Sequence, residues 1–280
     1  MTNRKTKQII CDIATYAVLI GASLLALIPL AWVVSTSFKP ITEIYTNPPH
    51  WIPIEPTLQN YMDVLFDSNI PRAFWNSIVV GGGVAFLSLS LGGAMGYAFA
   101  RFQFRGSKFF SMFILISQML PITVLMIPMH HMSNNTGLMD TRMGLILAHL
   151  VIALPLVTWI SKGYFMTIPA EIEEAARVDG CGMLRTIVSI ILPLLRPALA
   201  ATGIYAFVSS WNEFALANVL TRTMSSRTVP VTLSEFSTFF RVDWGDTMAA
   251  AMIITIPVVV IFMALQKQFI EGLSSGAVKG

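Results

Sequence analysis

The sequence of 280 residues is 55% hydrophobic and only 12% charged, and its mean hydropathy is +0.68. Soluble domains carry about 25% charged residues, so this chain has too little polar surface for a water-soluble globule and is predicted to be an integral membrane protein. The net charge of +3 forms no basic stripe, because Lys and Arg lie mostly beside apolar segments. This pattern argues against a nucleic-acid partner and indicates membrane topology instead.

Six apolar segments are long enough to cross a bilayer, which takes about 20 residues per helix. The first follows a basic N-terminus, but it is much longer than the core of a signal peptide (about 7–15 residues), so we interpret it as an uncleaved span. Lipid cannot satisfy free backbone groups, and the chain is therefore predicted to be an all-α polytopic membrane protein. The predicted spans are Ile13–Phe38, Ala73–Ala100, Ser107–Met129, Met143–Ser161, Ile187–Phe214 (an apolar segment interrupted by Arg196) and Thr247–Leu265.

Lys and Arg near the ends of these spans indicate the orientation, because such residues collect on the cytosolic side. With the N-terminus inside, twelve of them lie on the cytosolic side and six on the external side. Both termini are therefore predicted to face the cytosol. The chain would divide into a cytosolic N-terminus (1–12), a first span (13–38), an external loop (39–72), a transmembrane domain (73–265) with a cytosolic loop at 168–186, and a cytosolic tail (266–280).

The second span is rich in glycine, with Gly92 and Gly96 four residues apart on one face. Small residues at this spacing predict close contact with the backbone of another helix. Glycine-rich loops also bind phosphates, but the chain contains no GxxxxGK sequence followed by Ser or Thr. We therefore expect that the chain does not hydrolyse ATP alone. Its two cysteines have no CxxC or His partner at metal spacing, which predicts no metal site.

The longest cytosolic loop, residues 168–186, has the signals of a helix–turn–helix. Pro169 suits a first helical turn, and Gly180 suits a helix stop. Glu171 and Glu173 would lie near the positive end of the helix dipole. These signals alone are compatible with a docking surface and equally with an ordinary solvated hairpin.

The same loop contains a longer pattern of fixed spacing. Glu174-Ala175-Ala176 is followed after three residues by Gly180, and then, after nine more, by Ile190 and Leu192-Pro193. This pattern resembles, at every fixed position, the EAA signature of permease subunits of type I ATP-binding-cassette importers. Outside the loop, Asn76-Ser77, Trp211-Asn212-Glu213-Phe214 and the tail 272–280 are similar to the carbohydrate, MalG-like branch of that family.

The resemblance implies the six-helix type I importer fold, with a cytosolic coupling helix, in the cell inner membrane. A second, MalF-like permease subunit would complete a carbohydrate pathway, and an external or periplasmic solute-binding protein would deliver the solute. Two ATP-binding subunits would hold ATP and Mg, so this chain would bind no cofactor. The residues that carry over are Glu174, Ala175, Ala176 and Gly180 as the ATPase contact, Arg177 and Asp179 beside them, and Gly276, Ala277, Val278, Lys279 and Gly280 as a tail at the ATPase interface.

Polar residues in or near the spans are candidates for contact with solute or a gate. Trp211, Asn212 and Glu213 lie near the outer end of the fifth span, where a hydrogen bond to the partner subunit is the alternative interpretation. His149 lies within the fourth span, where a neutral imidazole bonded to a neighbouring helix is the simpler interpretation. The alternative function is a stand-alone secondary transporter or channel, which would need intramembrane carboxylates that the span interiors almost lack.

Overall fold

The computed structural model describes residues 2–236 and 243–277, and this part of the chain contains helices and no strand. The predicted all-α class is confirmed. The α-helices are α1 (Thr2–Ser37), α2 (Ile41–Ile44), α3 (Gln59–Met62), α4 (Ile70–Leu87), α5 (Gly93–Arg101), α6 (Ser107–Ser117), α7 (Ile122–Asn135), α8 (Arg142–Thr167), α9 (Ala170–Val178), α10 (Met183–Thr186), α11 (Leu192–Leu194), α12 (Arg196–Trp211), α13 (Ala215–Leu220), α14 (Val229–Leu233) and α15 (Trp244–Ala277). Shorter turns are the π-helical Asp63–Asp67, Ser88–Gly92 and Ile187–Ile191 and the 3-10 turn Ser234–Phe236.

The described residues provide between four and six membrane spans. Four helical segments are long and apolar enough to cross a bilayer alone, and two bent helix pairs raise the number to six if each pair is one span. The unbroken segments exceed most of the predicted bounds by a few residues, because their helices continue past the last apolar position. They are Ile10–Ser37, Ile70–Arg101, Arg142–Thr167 and Trp244–Gln266.

The third and fifth predicted spans are broken, which the hydropathy pattern did not predict. Helices α6 and α7 meet at 98°, and the segments Met183–Leu194 and Arg196–Trp211 meet at 83°. Pro121 stands at the first break with extended backbone, and Pro197 lies in the first turn after the second. Proline donates no backbone N–H and begins helices readily, so each break falls where a new helix can start.

The chain forms two compact units, of which one contains the described residues between 1 and 68 and between 235 and 254. The loop after α1, predicted to be external, is fastened to the end of that helix. The buried Lys39 ammonium donates a hydrogen bond of 2.5 Å to the carbonyl of His50 and lies 4.2 Å from the centre of the Trp32 ring. The Asn60 amide donates to the carbonyls of Ser37 and Lys39, both at 2.9 Å. The loop therefore has a fixed course despite its short helices.

The second unit contains residues 69–234 and the described residues from 255 onward. Its principal core lies between α4, α8, α12 and α13. Thr141 starts α8 by accepting a hydrogen bond of 3.0 Å from the Gly144 amide, as N-terminal capping residues do. The core side chains include Val80, Val84, Leu145, Val157, Ala206 and Leu216, all nearly inaccessible to solvent.

The predicted glycine contact in the second span is confirmed. A Cβ atom on Gly92 would lie 2.9 Å from the Val157 side chain, and one on Gly96 would lie 2.8 Å from the Lys162 backbone nitrogen. Both neighbours belong to α8, whose backbone therefore runs directly against α5. Small residues permit this approach, and it holds the second and fourth spans together.

Candidate functional site

Helix α9 begins and ends as the loop sequence predicts. It starts after Pro169, with Glu171 and Glu173 in its first turn and Arg177 in its last. At its end Gly180 has φ +79°, its amide donates to Arg177, and the Cys181 amide donates to Ala176 at 2.9 Å. This pair of bonds is the Schellman motif, which requires a left-handed residue after the helix. Gly180 therefore fixes the direction in which the chain leaves α9.

The predicted ATPase contact is divided between two faces of α9. Glu174, Ala175, Arg177, Asp179 and Gly180 are exposed. Ala176 is only 4% exposed and packs into its own chain, so it is not available for a contact with another subunit. The structure therefore puts this one member of the predicted set on the inward face of α9, and the ATPase contact itself stays a prediction.

Two apolar residues that the motif does not include are also exposed in this loop. Val178, in α9, is 87% exposed and Leu184, in α10, is 79% exposed. A sequence signal for them existed, since both are large apolar residues in a charged loop outside the predicted spans. Val178 puts an apolar side chain among the exposed charges of Glu174, Arg177 and Asp179, and this combination is common at protein interfaces.

The inward face of α9 carries a buried carboxylate that the sequence interpretation missed. Glu173 is 4% exposed, and its two oxygens accept hydrogen bonds from Tyr97 Oη at 2.9 Å and Arg101 Nε at 2.6 Å. Arg101 Nη2 also donates to the carbonyl of Ile168 at 2.9 Å. Glu173 lies three residues before the inward-facing Ala176, and this helical spacing was the signal.

The candidates for solute contact at the end of α12 lie in different environments. Trp211 is 2% exposed, with its ring 5.4 Å from that of Phe207 and 5.7 Å from that of Phe74. Asn212 is exposed. Of these three candidates, only Asn212 is open to a ligand or another subunit, because Trp211 and Glu213 are buried.

Glu213 is 8% exposed and lies two residues before α13, where its carboxylate binds amides of the first turn. Its oxygens accept hydrogen bonds from the amides of Leu216 at 2.8 Å and Ala217 at 2.9 Å, and one lies 3.1 Å from His149 Nε2. His149 Nδ1 is 2.8 Å from the Ser210 hydroxyl in α12. The simpler interpretation of His149, a bond to a neighbouring helix, is confirmed. The same contacts place Glu213 in the packing of its own chain.

The remaining motif residues are structural or only partly described. The Asn76 side chain accepts from Arg142 Nε and donates to the Arg227 carbonyl, both at 2.8 Å. It therefore fastens the second span to the start of α8 and to the segment before α14. In the tail, Gly276 and Ala277 form the end of α15. Val278, Lys279 and Gly280 lie outside the described residues.

Comparison with known proteins identifies the family. The profile of the family described as "Binding-protein-dependent transport system inner membrane component" matches residues 88–274. The diacetylchitobiose uptake system permease protein DasC of Streptomyces coelicolor is 32% identical over 252 residues, or 90% of this chain and 91% of that protein. The trehalose/maltose transport system permease protein MalG of Thermococcus litoralis is 34% identical over 268 residues, or 94% and 96%.

A solved structure agrees with these relatives. One chain of a bacterial ABC transporter involved in the import of the acidic polysaccharide alginate has a TM-score of 0.80 and 25% identity, covering 93% of this chain and 96% of that chain. The predicted family and importer fold are confirmed. The chain belongs to the binding-protein-dependent transport system inner membrane components: it is a multi-pass permease subunit of an ATP-binding-cassette importer, not an enzyme, and it works with a further permease subunit, an ATPase and a solute-binding protein.

Proposed function

We propose that this chain forms half of the translocation pathway for a carbohydrate that an external solute-binding protein delivers. The support is the solutes that its relatives' names give: diacetylchitobiose for DasC, and trehalose and maltose for MalG. The similar solved transporter imports alginate, a polysaccharide. All four solutes consist of linked sugar units, so an oligosaccharide or related sugar is the expected class. A single MalF-like subunit would supply the other half of the pathway.

The exposed face of α9 is the proposed ATPase contact, and this exposure is the observation that carries the coupling role. Glu174 and Arg177 offer opposite charges there, and Val178 offers an apolar side chain that is 87% exposed in a polar loop. Buried apolar anchors with a polar rim supply most of the energy of protein interfaces. Two ATP-binding subunits would therefore engage this face and its counterpart on the second permease subunit.

The cytosolic side is assigned from the charge asymmetry of the loops. The distribution of Lys and Arg supports a cytosolic location for α9 and both termini. ATP and Mg would bind to the partner subunits, and the end of α15, with Gly276 and Ala277, would lead the tail towards them. The last three residues belong to the same proposed contact.

A pair of matched valine variants tests this assignment. Val178→Ser removes the apolar anchor of α9, whereas Val188→Ser makes the same change at a residue that is 60% exposed within the predicted fifth span. We expect Val178→Ser to weaken retention of the ATPase subunits about tenfold during purification, which corresponds to about 1.4 kcal/mol. Val188→Ser should retain them. Sugar uptake in proteoliposomes should fall in parallel.

Two results would contradict the proposal. If the intact protein purifies without any ATPase and sustains uptake in the absence of ATP, the stand-alone transporter is correct. If the ATPase is retained equally in both variants, α9 is not its contact. Competition among disaccharides for the solute-binding protein tests the substrate class separately, and a preference for a solute that is not a sugar would overturn it.

A further inference from the structure

We propose that Glu173 is a positioning residue that fastens the coupling helix α9 to the inner end of the second span. Movement imposed on α9 would then reach α5 directly, in addition to passing through the chain connection to α8. The inference rests on the proposed function of α9 as the ATPase contact. It concerns how movement is transmitted from α9 to the second span. The EAA pattern does not include Glu173 and assigns it no such role.

The covalent connection of α9 is short and could act as a hinge. Only Ile168 and Pro169 separate α8 from α9, and Pro169 has the extended ψ of 137°. On the apolar side, Ile172 packs against the cluster that Tyr97 and Phe165 help to form. Apolar contacts are not directional, so this packing alone leaves α9 free to slide or rotate about the hinge.

The hydrogen bonds of Glu173 fix the orientation of α9 that apolar packing alone leaves free. One carboxylate oxygen accepts from Tyr97 Oη and the other from Arg101 Nε, so the group is held at both oxygens. Hydrogen bonds to charged groups are shorter and about twice as strong as neutral ones, and they fix orientation. The side chains of Glu173 and Arg101 are 6% and 15% exposed, so water competes little for these bonds.

Arg101 holds both sides of the hinge at once. Its Nε donates to the Glu173 carboxylate in α9, and its Nη2 donates to the carbonyl of Ile168, the residue that ends α8. One guanidinium at the end of α5 therefore spans the corner between α8 and α9. The planar group with fixed donor positions suits this double contact, which a lysine could not reproduce.

Helix α5 is itself held firmly by α8. The close approaches at Gly92 and Gly96 leave no room for α5 to shift towards α8 without a clash. Helix α5 therefore contacts α8, the corner at Ile168 and α9. These contacts join the inner ends of the second and fourth spans to the coupling helix. A force on the exposed face of α9 would be delivered to the second span through Glu173.

A buried ion pair adds little to stability, because the cost of desolvation offsets its attraction. Replacing both partners with apolar residues of similar size is often neutral for stability, whereas removal of one partner leaves a buried charge. The double variant Glu173→Met/Arg101→Met should therefore keep the fold and lose the directional bonds. This separates a positioning role from a purely structural one.

The experiment uses the full transporter in proteoliposomes with its loaded solute-binding protein. It measures retention of the ATPase subunits, ATP hydrolysis, and uptake per ATP hydrolysed. For Glu173→Gln we expect normal ATPase retention and uptake per ATP lowered about tenfold, the loss of one charge-assisted bond. The Met/Met double variant loses all three bonds, so it should retain the ATPase normally and lower uptake per ATP at least as much. Glu174→Gln is the matched control, since its exposed neighbouring carboxylate should affect retention instead. Tyr97→Phe should give a smaller loss of uptake per ATP.

Each outcome decides between the two proposals. Normal uptake per ATP in both Glu173→Gln and the double variant would overturn the positioning role. Loss of ATPase retention in these variants equal to that in Glu174→Gln would also overturn it, because Glu173 would then serve docking. Equal retention of the ATPase subunits by Val178→Ser and Val188→Ser would instead contradict the proposed ATPase contact, whatever the Glu173 variants show.

Discussion

A Cβ atom placed on Gly96 would lie 2.7 Å from the Cβ atom of Ser161. The nearby Lys162 nitrogen belongs to backbone and cannot rotate away, so a methyl group here must push α5 and α8 apart. We expect Gly96→Ala to lower the free energy of unfolding by about 1–3 kcal/mol, the range for overpacked sites. Thermal denaturation of the purified protein in detergent measures this loss.

Gly93→Ala is the matched control for that variant. A Cβ on Gly93 would meet nothing within 4 Å, although it lies in the same helix. Alanine is the better helix former, so this control should be neutral or slightly stabilising. Equal destabilisation by the two variants would show that glycine in α5 matters for its backbone and not for the contact with α8.

The sequence predicted those parts of the fold that depend on local spacing. The two glycines four residues apart predicted the close helix contact that is made with α8, because helix geometry alone puts them on one face. The breaks before Ile122 and Arg196 were missed, since hydropathy counts apolar residues and does not register a change of direction. Pro121 and Pro197 were visible, but a proline inside an apolar run can also be accommodated within a span.

Gly180→Ala should disturb the exit from the coupling helix. Its φ of +79° costs an L-residue about 1–2 kcal/mol, so alanine favours another turn direction. Gly182→Ala is the control, because Gly182 has φ −69° and open space around its Cα. We expect lower uptake for Gly180→Ala and unchanged uptake for Gly182→Ala.

Gly180→Pro should abolish uptake with normal membrane insertion, and normal uptake in that variant would refute the role of this turn.

Glu213→Ala separates a structural role of Glu213 from contact with solute. The variant leaves the Leu216 and Ala217 amides without their side-chain acceptor and removes the carboxylate beside His149. Loss of a buried charged partner costs about 2–4 kcal/mol, so the melting temperature should fall clearly. Asn212→Ala, at the exposed neighbour, should leave it unchanged. A stable Glu213→Ala protein with weakened solute affinity would restore the solute interpretation.

Asp140 should make the attachment of the segment after α13 depend on pH. Burial raises the pKa of Asp140, but hydrogen bonds from Ser226, Thr223 and the Arg222 amide outweigh it and hold this pKa well below its usual value. Since the folded pKa is lowered, the stabilisation is complete above the unfolded value of about 3.9 and is lost as the pH falls below it.

Hydrogen exchange of the Arg222 and Thr223 amides measures that attachment. Protection should be high at neutral pH and fall in acid, whereas Asp140→Asn should show reduced protection at neutral pH and little further change. Asp67→Asn, at an exposed aspartate of the loop between α1 and α4, is the control and should match the unmodified protein. Protection that does not vary between neutral and strongly acidic pH would contradict the assignment.

The sequence predicted those features of the candidate site that follow a local pattern. It did not predict the features that depend on tertiary contacts. The EAA spacing located α9, and the glycine signal located its end. Neither could show that Ala176 faces inward or that Glu173 meets Tyr97, which is 76 residues away in sequence. Such partners are set by how α5 packs on α8, and no local propensity encodes them.

The bend between α6 and α7 has a consequence for how the protein is made. Two helices at 98° cannot enter lipid as one continuous cylinder, and Pro121 interrupts the backbone hydrogen bonds that would shield the chain from hydrocarbon. The Gln118 amide just before the bend donates to the carbonyl of Ile152 in α8, at 2.9 Å. That bond ties the residue before the bend to α8, which the ribosome produces later. We therefore expect the bend to take its final shape only after the fourth span has been made.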